Sequence, residues 1–281
     1  MGSTEHRSIE REHALGPEHL AACQRLSAAA HWNQNEADWR VMLEMGRGWG
    51  LTVDDTLVAS ALSLPYGERF GWISMVLVLP QHRRKGYATR LLHKAIAELE
   101  GAGRLPVLDA TPAGREVYRQ EGFSDTWGFR RFALRKSAKF QRANDVRPTR
   151  EADWPRILQM DQEAFGASRE TLLRSLASRL PVAALAADGG FLLGREGRES
   201  AQLGPLVAED AVTARALLLE GLRRVPAPLY VDVADHARDL HSLLEEAGFE
   251  FQRPFTRMVR GAGKAPGDAS RVFLVAGPEL G

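Results

Sequence analysis

An apolar run, Trp72-Ile73-Ser74-Met75-Val76-Leu77-Val78-Leu79, breaks at Pro80 into Gln81-His82-Arg83-Arg84-Lys85-Gly86-Tyr87-Ala88-Thr89. Three consecutive cations, then a glycine and a small residue, are a means of holding a multiply charged anion such as a diphosphate. Arg83, Arg84 and Lys85 supply attraction, and Gly86 and Ala88 let the backbone come close to the ligand. Past Gly86 the apolar residues recur at helical spacing: Ala88, Leu91, Leu92, Ala95 and Leu99. The stretch therefore reads as strand, basic turn, helix. The first N–H groups of such a helix have no intrahelical partner, and its dipole favours an anion there. No Gly-Lys-Ser/Thr follows, which argues against an ATP-type phosphate loop. A bare surface turn between strand and helix is the other reading of these six residues.

In order and spacing the stretch resembles the central motif of the GNAT superfamily of acyl-CoA N-acyltransferases, Arg/Gln-x-x-Gly-x-Gly/Ala, here Arg83 to Ala88. The preceding Val-x-Pro-x-x-Arg and the following Thr-x-Leu-Leu strengthen the match. A second stretch resembles the family's Asn-x-x-Ala-x-x-x-Tyr-x-x-x-Gly-Phe. Thr111, Gly114, Tyr118, Gly122 and Phe123 fall on its positions, with Thr replacing Asn and Gly replacing Ala.

The resemblance implies acetyl-CoA as cosubstrate and an amine that attacks the thioester directly in a ternary complex. Val76, Leu77 and Val78 would pair with the pantetheine amides as an added strand does. A backbone N–H near Val76 would polarise the thioester oxygen. Arg83, Arg84, Lys85, Gly86, Tyr87, Ala88 and Thr89 would hold the pyrophosphate. Thr111 would bond the pantetheine arm, and Gly114 would leave it room. Tyr118 would donate a proton to the departing thiolate, since a phenol (reference pKa ~10, against ~8.5 for a thiol) is protonated at neutral pH; packing against the sheet is its other reading. Glu68 and Asp109 are candidate bases, and Ser74 a residue to order a water. The link between the first two helices borders the acceptor pocket in such folds, which makes His31 and Trp32 candidate substrate contacts beside a plain core role for Trp32.

The elements that must position these residues follow in order. Ser8 to Glu12 suits a short strand, Pro17 to Ala30 a helix, and Asn35 caps a helix over Glu36 to Met45 that Gly46 stops. Two strands meet at Asp54-Asp55, whose carboxylates read as turn chemistry rather than a metal site. After the key strand and helix come a strand over Leu105 to Ala110, a short helix ending at Gly122, and a closing strand over Trp127 to Leu134.

A polar connector, Lys136 to Asp145, leads to a second unit with the same order of elements. Tyr-Arg-Gln-Glu-Gly-Phe in the first unit corresponds to Leu-Glu-Glu-Ala-Gly-Phe in the second. After Val207, however, the chain reads Ala208-Glu209-Asp210, and acidic residues there would repel a pyrophosphate. We therefore expect an α/β fold of two tandem GNAT-like domains, each a twisted mixed β-sheet flanked by helices. Residues 1–137 would carry the acetyl-CoA site, and residues 145–281 would be a degenerate domain without the pyrophosphate loop. The second half looks like that of the YitH-like branch of tandem GNAT proteins. It would either bind a separate effector or complete the acceptor pocket as a lid through Asp161, Phe165 and Arg169. The apolar segment Arg271 to Gly277 should pair back onto a sheet.

Composition bounds the rest. The chain has 281 residues and a net charge of +1, so nothing points to nucleic acid or a membrane as partner. The lone Cys23 reads as a core residue and fits a reducing compartment. The Ala/Arg/Leu/Gly bias suits a bacterial, cytoplasmic protein. No metal is expected. The expected partner is a small-molecule amine, and a non-catalytic acetyl-CoA sensor is the alternative.

Overall fold

The computed structural model describes residues 8–136, 139–143, 145–261 and 263–281. The polar, mobile start expected over residues 1–8 lies, apart from Ser8, outside the described residues. In chain order the first half runs β1 (Glu10–Leu15), α1 (Leu20–Ala29), α2 (Glu36–Met45), β2 (Arg47–Val53), β3 (Thr56–Tyr66), β4 (Phe70–Val78), α3 (Tyr87–Gly101), β5 (Leu105–Ala110), α4 (Pro112–Gln120) and β6 (Phe123–Leu134). The second half runs β7 (Arg147–Pro148), α5 (Trp154–Phe165), α6 (Glu170–Arg179), β8 (Leu185–Ala187), β9 (Gly190–Arg195), β10 (Ala201–Ala208), α7 (Ala211–Arg224), β11 (Leu229–Ala234), α8 (Arg238–Glu246), β12 (Glu250–Arg260) and β13 (Val272–Leu274). No helix among the described residues is long and apolar enough to cross a membrane.

Local chemistry accounts for the boundaries. Asn35 Oδ1 accepts from Asp38 N at 3.1 Å while the Asp38 carboxylate accepts from Asn35 N at 3.0 Å, a reciprocal cap that starts α2. Asp54 and Asp55 both take positive φ at the β2–β3 turn, as that hairpin requires. Cys23 is fully buried, and burial pushes its thiol up to about 12.

The thirteen strands of the described residues form one sheet, ordered β1-β2-β3-β4-β5-β12-β6-β11-β13-β10-β9-β8-β7. The two halves exchange their closing strands. β12, from the second half, lies antiparallel to β5 of the first, with Thr256 opposite Ala110 and Val259 opposite Val107. β6, from the first half, lies antiparallel to β11 of the second, with Leu229 opposite Leu134 and Ala234 opposite Phe129. β6 and β12 pair with each other between them.

Two buried ion pairs repeat this symmetry. Arg257 of β12 forks onto both oxygens of Asp109 in β5, at 2.9 and 2.9 Å. Arg131 of β6 forks onto Asp232 of β11, at 2.8 and 2.7 Å. The Arg257 guanidinium also sits between the rings of Trp72 and Trp127, 4.5 and 4.3 Å from their centroids. The largest apolar cluster crosses the halves, joining Leu26, Trp39, Met42 and Trp72 to Phe165, Leu172, Leu176 and Leu280.

Candidate active site

β4 and β5 pair in parallel only from Phe70–Leu105 to Trp72–Val107. Past that point a bulge turns β4 aside: Met75 has φ of 50°, and Met75 and Val76 together face Ala61 of β3. A non-glycine residue in that region costs about 1–3 kcal/mol and needs support. Ser60 gives it, donating its hydroxyl to the Met75 carbonyl at 2.8 Å. The strands splay into a wedge, and a cavity opens beside it. Ile73, Ser74, Met75 and Val76 form one wall, and Leu108, Asp109, Thr111 and Tyr118 the other. Leu79 N bonds Val58 O at 2.9 Å, so by strand alternation Leu77 turns its backbone groups to β3 and Val78 turns its own to the open side.

The basic turn lies at the end of the wedge. A short 3₁₀ turn, Pro80–His82, leads to Gly86, which caps α3 with φ of 78°. Among the described residues, the amides of Arg84, Lys85, Gly86, Tyr87, Ala88 and Thr89 donate to no group of the protein. Arg83, Arg84 and Lys85 are exposed and have no carboxylate partner there. Tyr87 turns its ring into the core and donates its hydroxyl to Glu10 at 2.5 Å, leaving only its backbone at the turn.

Thr111 caps α4, its hydroxyl oxygen accepting from Gly114 N at 3.2 Å. A Cβ on Gly114 would come within 3.0 Å of the Tyr118 ring, so the glycine makes room for that ring. Tyr118 packs edge-on against Phe123, and burial pushes its hydroxyl up to about 12.

The cavity is closed further by Trp32 and Gln34 from the α1–α2 link, Arg253 and Phe255 from β12, Arg131 from β6, and Pro278 and Glu279 beyond β13. The second half pins that link: Asn33 Oδ1 accepts from Glu199 N and Ser200 N at 3.0 and 3.1 Å, and Arg179 holds Asp38 at 2.8 Å. Asp161 and Phe165 do not reach the cavity. Arg169 holds the buried Asp161 carboxylate in a two-point ion pair, and Phe165 packs among Tyr66, Phe70 and Trp72. Apolar Phe165 belongs with the shared core, and Asp161 follows it there as the counter-charge of Arg169. Asp109 lines the cavity with both oxygens taken by Arg257, Glu68 is exposed at the β3–β4 turn, and the Ser74 hydroxyl points at the Met42 sulfur, 3.6 Å away. Gln34, Arg253 and Glu279 carried no sequence signal; the contacts between halves that bring them together are hundreds of residues apart in the chain.

The second half builds the same wedge and fills it. β10 and β11 pair in parallel from Ala201–Leu229 to Leu203–Val231, and a bulge at Gly204-Pro205 turns β10 aside. β13 then enters, with Leu206 opposite Leu274, Val207 opposite Val272, and Val233 opposite Leu274. At the tip, Asp210 caps α7 by accepting from Thr213 N at 2.8 Å, so a carboxylate stands where the first half offers free amides.

Comparison with known proteins places both halves in one family. The model described as "Acetyltransferase (GNAT) family" matches residues 17–123, and that described as "Acetyltransferase (GNAT) domain" matches residues 157–274. The chain is 25% identical over 243 residues to the uncharacterized N-acetyltransferase YitH of Bacillus subtilis, covering 84% of this chain and 86% of that protein. It is 27% identical over 237 residues to the holothin acyltransferase of a Pseudoalteromonas species, covering 82% and 79%. In fold it matches a Pyrococcus horikoshii protein described as an acetyltransferase, with a TM-score of 0.83 over 100% of both chains at 19% identity. A tandem GNAT protein from the clavulanic acid biosynthesis pathway aligns with a TM-score of 0.60 over 91% of this chain and 100% of that one, at 13% identity. The chain belongs to the GNAT superfamily of acyltransferases and carries two GNAT units in tandem.

Proposed function

We propose that the first half, residues 1–137, binds acetyl-CoA and transfers its acetyl group to a small-molecule amine by direct attack in a ternary complex, and that residues 145–281 hold no acyl-CoA. The observation that carries this reading is the run of six unpartnered amides from Arg84 to Thr89, beside three cations without a carboxylate partner, at the tip of an open wedge. A pyrophosphate satisfies those donors together. The pantetheine arm lies along the unpaired side of β4 as an added strand, using Val78 and the backbone around Val76. The Val76 N–H, just past the bulge, faces the thioester oxygen as charge builds on it.

Tyr118 keeps its proton at any physiological pH, because burial pushes it up to about 12. Full transfer to a thiolate whose own pKa is about 8.5 is uphill, so the hydroxyl acts chiefly as a hydrogen-bond donor to the sulfur as the C–S bond breaks. A sensor needs no such donor, whereas an enzyme does.

Calorimetry with acetyl-CoA on the full chain tests the reading. One site per chain is expected, with Lys85→Glu weakening it about tenfold or more. Tyr118→Phe should keep the affinity and lower amine-dependent CoA release by about 10- to 100-fold. No heat with either CoA or acetyl-CoA, or two sites per chain, rejects the proposal. Unchanged CoA release in Tyr118→Phe rejects the role given to the hydroxyl.

A further inference from the structure

Two oxygens in the cavity wall have no partner within the protein: Oε1 of Gln34 and Oε2 of Glu279. Both residues are 2% exposed. Each atom accepts hydrogen bonds, and neither is reached by a donor from the protein. Gln34 comes from the α1–α2 link of the first half and Glu279 from the segment beyond β13, so the two halves of the chain each bring one. The other Glu279 oxygen is held by Arg195, whose guanidinium also meets Asp38 and Gln202. Buried acceptors without partners, on two residues that line one cavity, call for a ligand that donates hydrogen bonds, and a carboxylate among them favours a cation.

The charges around the cavity point further. Asp109 is matched by Arg257, Arg131 by Asp232, and Arg195 and Arg179 by Glu279 and Asp38. Arg253 lines the same cavity and an adjoining opening shared with Arg131, His31 and Tyr230. Among the described residues it is the one cavity-lining cation with no carboxylate partner. It faces the ring of Phe255 at 5.3 Å instead.

We propose that Gln34 and Glu279 form the subsite for the acceptor's amino group, and that Arg253 binds an acidic group on the same molecule. The acceptor is thus a primary amine that also carries a negative charge, of the chemical class of an amino acid. The inference rests on the acyl-transfer reading above. In the reaction, a Glu279 carboxylate oxygen takes one proton from the bound ammonium and leaves a neutral amine. The nitrogen attacks the thioester carbon, the C–N bond forms and the C–S bond breaks. The nitrogen's second proton ends on the sulfur, giving amide and free thiol, and Glu279 returns its proton to solvent.

The test uses full-length wild type, Glu279→Gln, Glu279→Asp, Gln34→Leu and Arg253→Gln. Each is titrated with acetyl-CoA by calorimetry and then assayed for CoA release with α-, β- and γ-amino acids, their carboxamides, and diamines of equal length. Acetyl-CoA affinity should stay within about twofold throughout, since none of these residues lies at the basic turn. Wild type should prefer at least one amino acid over its carboxamide by about tenfold or more in kcat/KM, and Arg253→Gln should reduce that ratio to within about threefold. Glu279→Gln, which still accepts from Arg195, should lower kcat by about 100- to 1000-fold, with Glu279→Asp recovering part of it. Gln34→Leu should raise KM for the amine about tenfold. Wild-type kcat in Glu279→Gln, carboxamides or diamines used as well as amino acids, or no turnover of the whole panel by a chain that binds acetyl-CoA overturns the acceptor assignment. If wild type binds no acetyl-CoA, the acyl-transfer reading itself falls and takes this one with it. Should Glu279→Gln not fold, Gln34→Leu and Arg253→Gln decide.

Discussion

The wedge between β4 and β5 and the wedge between β10 and β11 are built alike: a short parallel ladder, a bulge, then divergence. They differ in what meets the exposed strand edges. A strand edge inside a protein must be paired, covered or left for a partner. In the second half β13 pairs with both sides, so the chain supplies the added strand itself. In the first half that place is open, and the tip offers amides instead of the Asp210 cap. One backbone design thus yields an open wedge in one half and a closed structural element in the other.

The comparison breaks most readily at the two bulges. In the filled wedge Gly204 has φ of 142°, and a Cβ there would lie 2.0 Å from the Val275 carbonyl. Gly204→Val should therefore cost about 4 kcal/mol or more, from backbone strain and overpacking together, read as a fall in the urea midpoint. Met75, at the open wedge, already holds a side chain at positive φ but is buried in the core, so Met75→Gly trades relief of about 1–3 kcal/mol of backbone strain against about 2–5 kcal/mol of lost packing, a net shift of about 1–2 kcal/mol. Equal losses at the two sites would mean that β13 does not close the second wedge as a packed strand.

A smaller effect tests the exchanged strands. Arg257→Met leaves Asp109 buried without its partner, and Arg131→Met does the same to Asp232. Each should cost about 3–5 kcal/mol in chemical denaturation. Because β6 and β12 each belong to both halves of the sheet, both variants should still unfold in a single transition. A split transition in either would show that the halves fold as separate units, and the exchange would then carry little of the stability.

Much of this was legible in the chain, and the rest was hidden for identifiable reasons. The Arg83–Ala88 turn and the Thr111–Phe123 helix were readable because their chemistry is local: a glycine at positive φ, a cap, an aromatic five residues from a second aromatic. The filled wedge was half legible. Asp210 announced a tip without free amides, and the apolar Arg271–Gly277 segment announced a strand, but nothing local said that its place was the counterpart of the first half's open wedge. Strand exchange was illegible, since β6 and β12 carry the same apolar alternation whichever half they complete. Asp161, read from the sequence as part of a lid over the acceptor pocket, instead neutralises Arg169 inside a core that only the joined halves create.

The smallest effect separates charge from packing in the same comparison. In the first half Asp125 is held down to about 2, chiefly by its hydrogen bond to Arg115 and then by Arg119. In the second, Glu220 is held down to about 2 by Arg223 first and Arg224 next. Folding depresses both carboxyls below their unfolded values near 4, so the stability they give is present above that range and lost as pH falls from about 4 toward about 2. Asp153 of the second half, held down to about 2 chiefly by Arg147, adds to this, so both halves lose such contributions over one window. Acid should therefore lower the melting temperature smoothly, with the near-ultraviolet dichroism, to which five of six tryptophans contribute from the first half, tracking the far-ultraviolet signal of the whole chain. Asp125→Asn and Glu220→Gln should each flatten part of that slope while leaving the neutral-pH sheet signal intact. If the tryptophan signal were lost at a higher pH than the backbone signal, the two halves would not be one cooperative sheet, and the likeness of their wedges would be a likeness of form without shared stability.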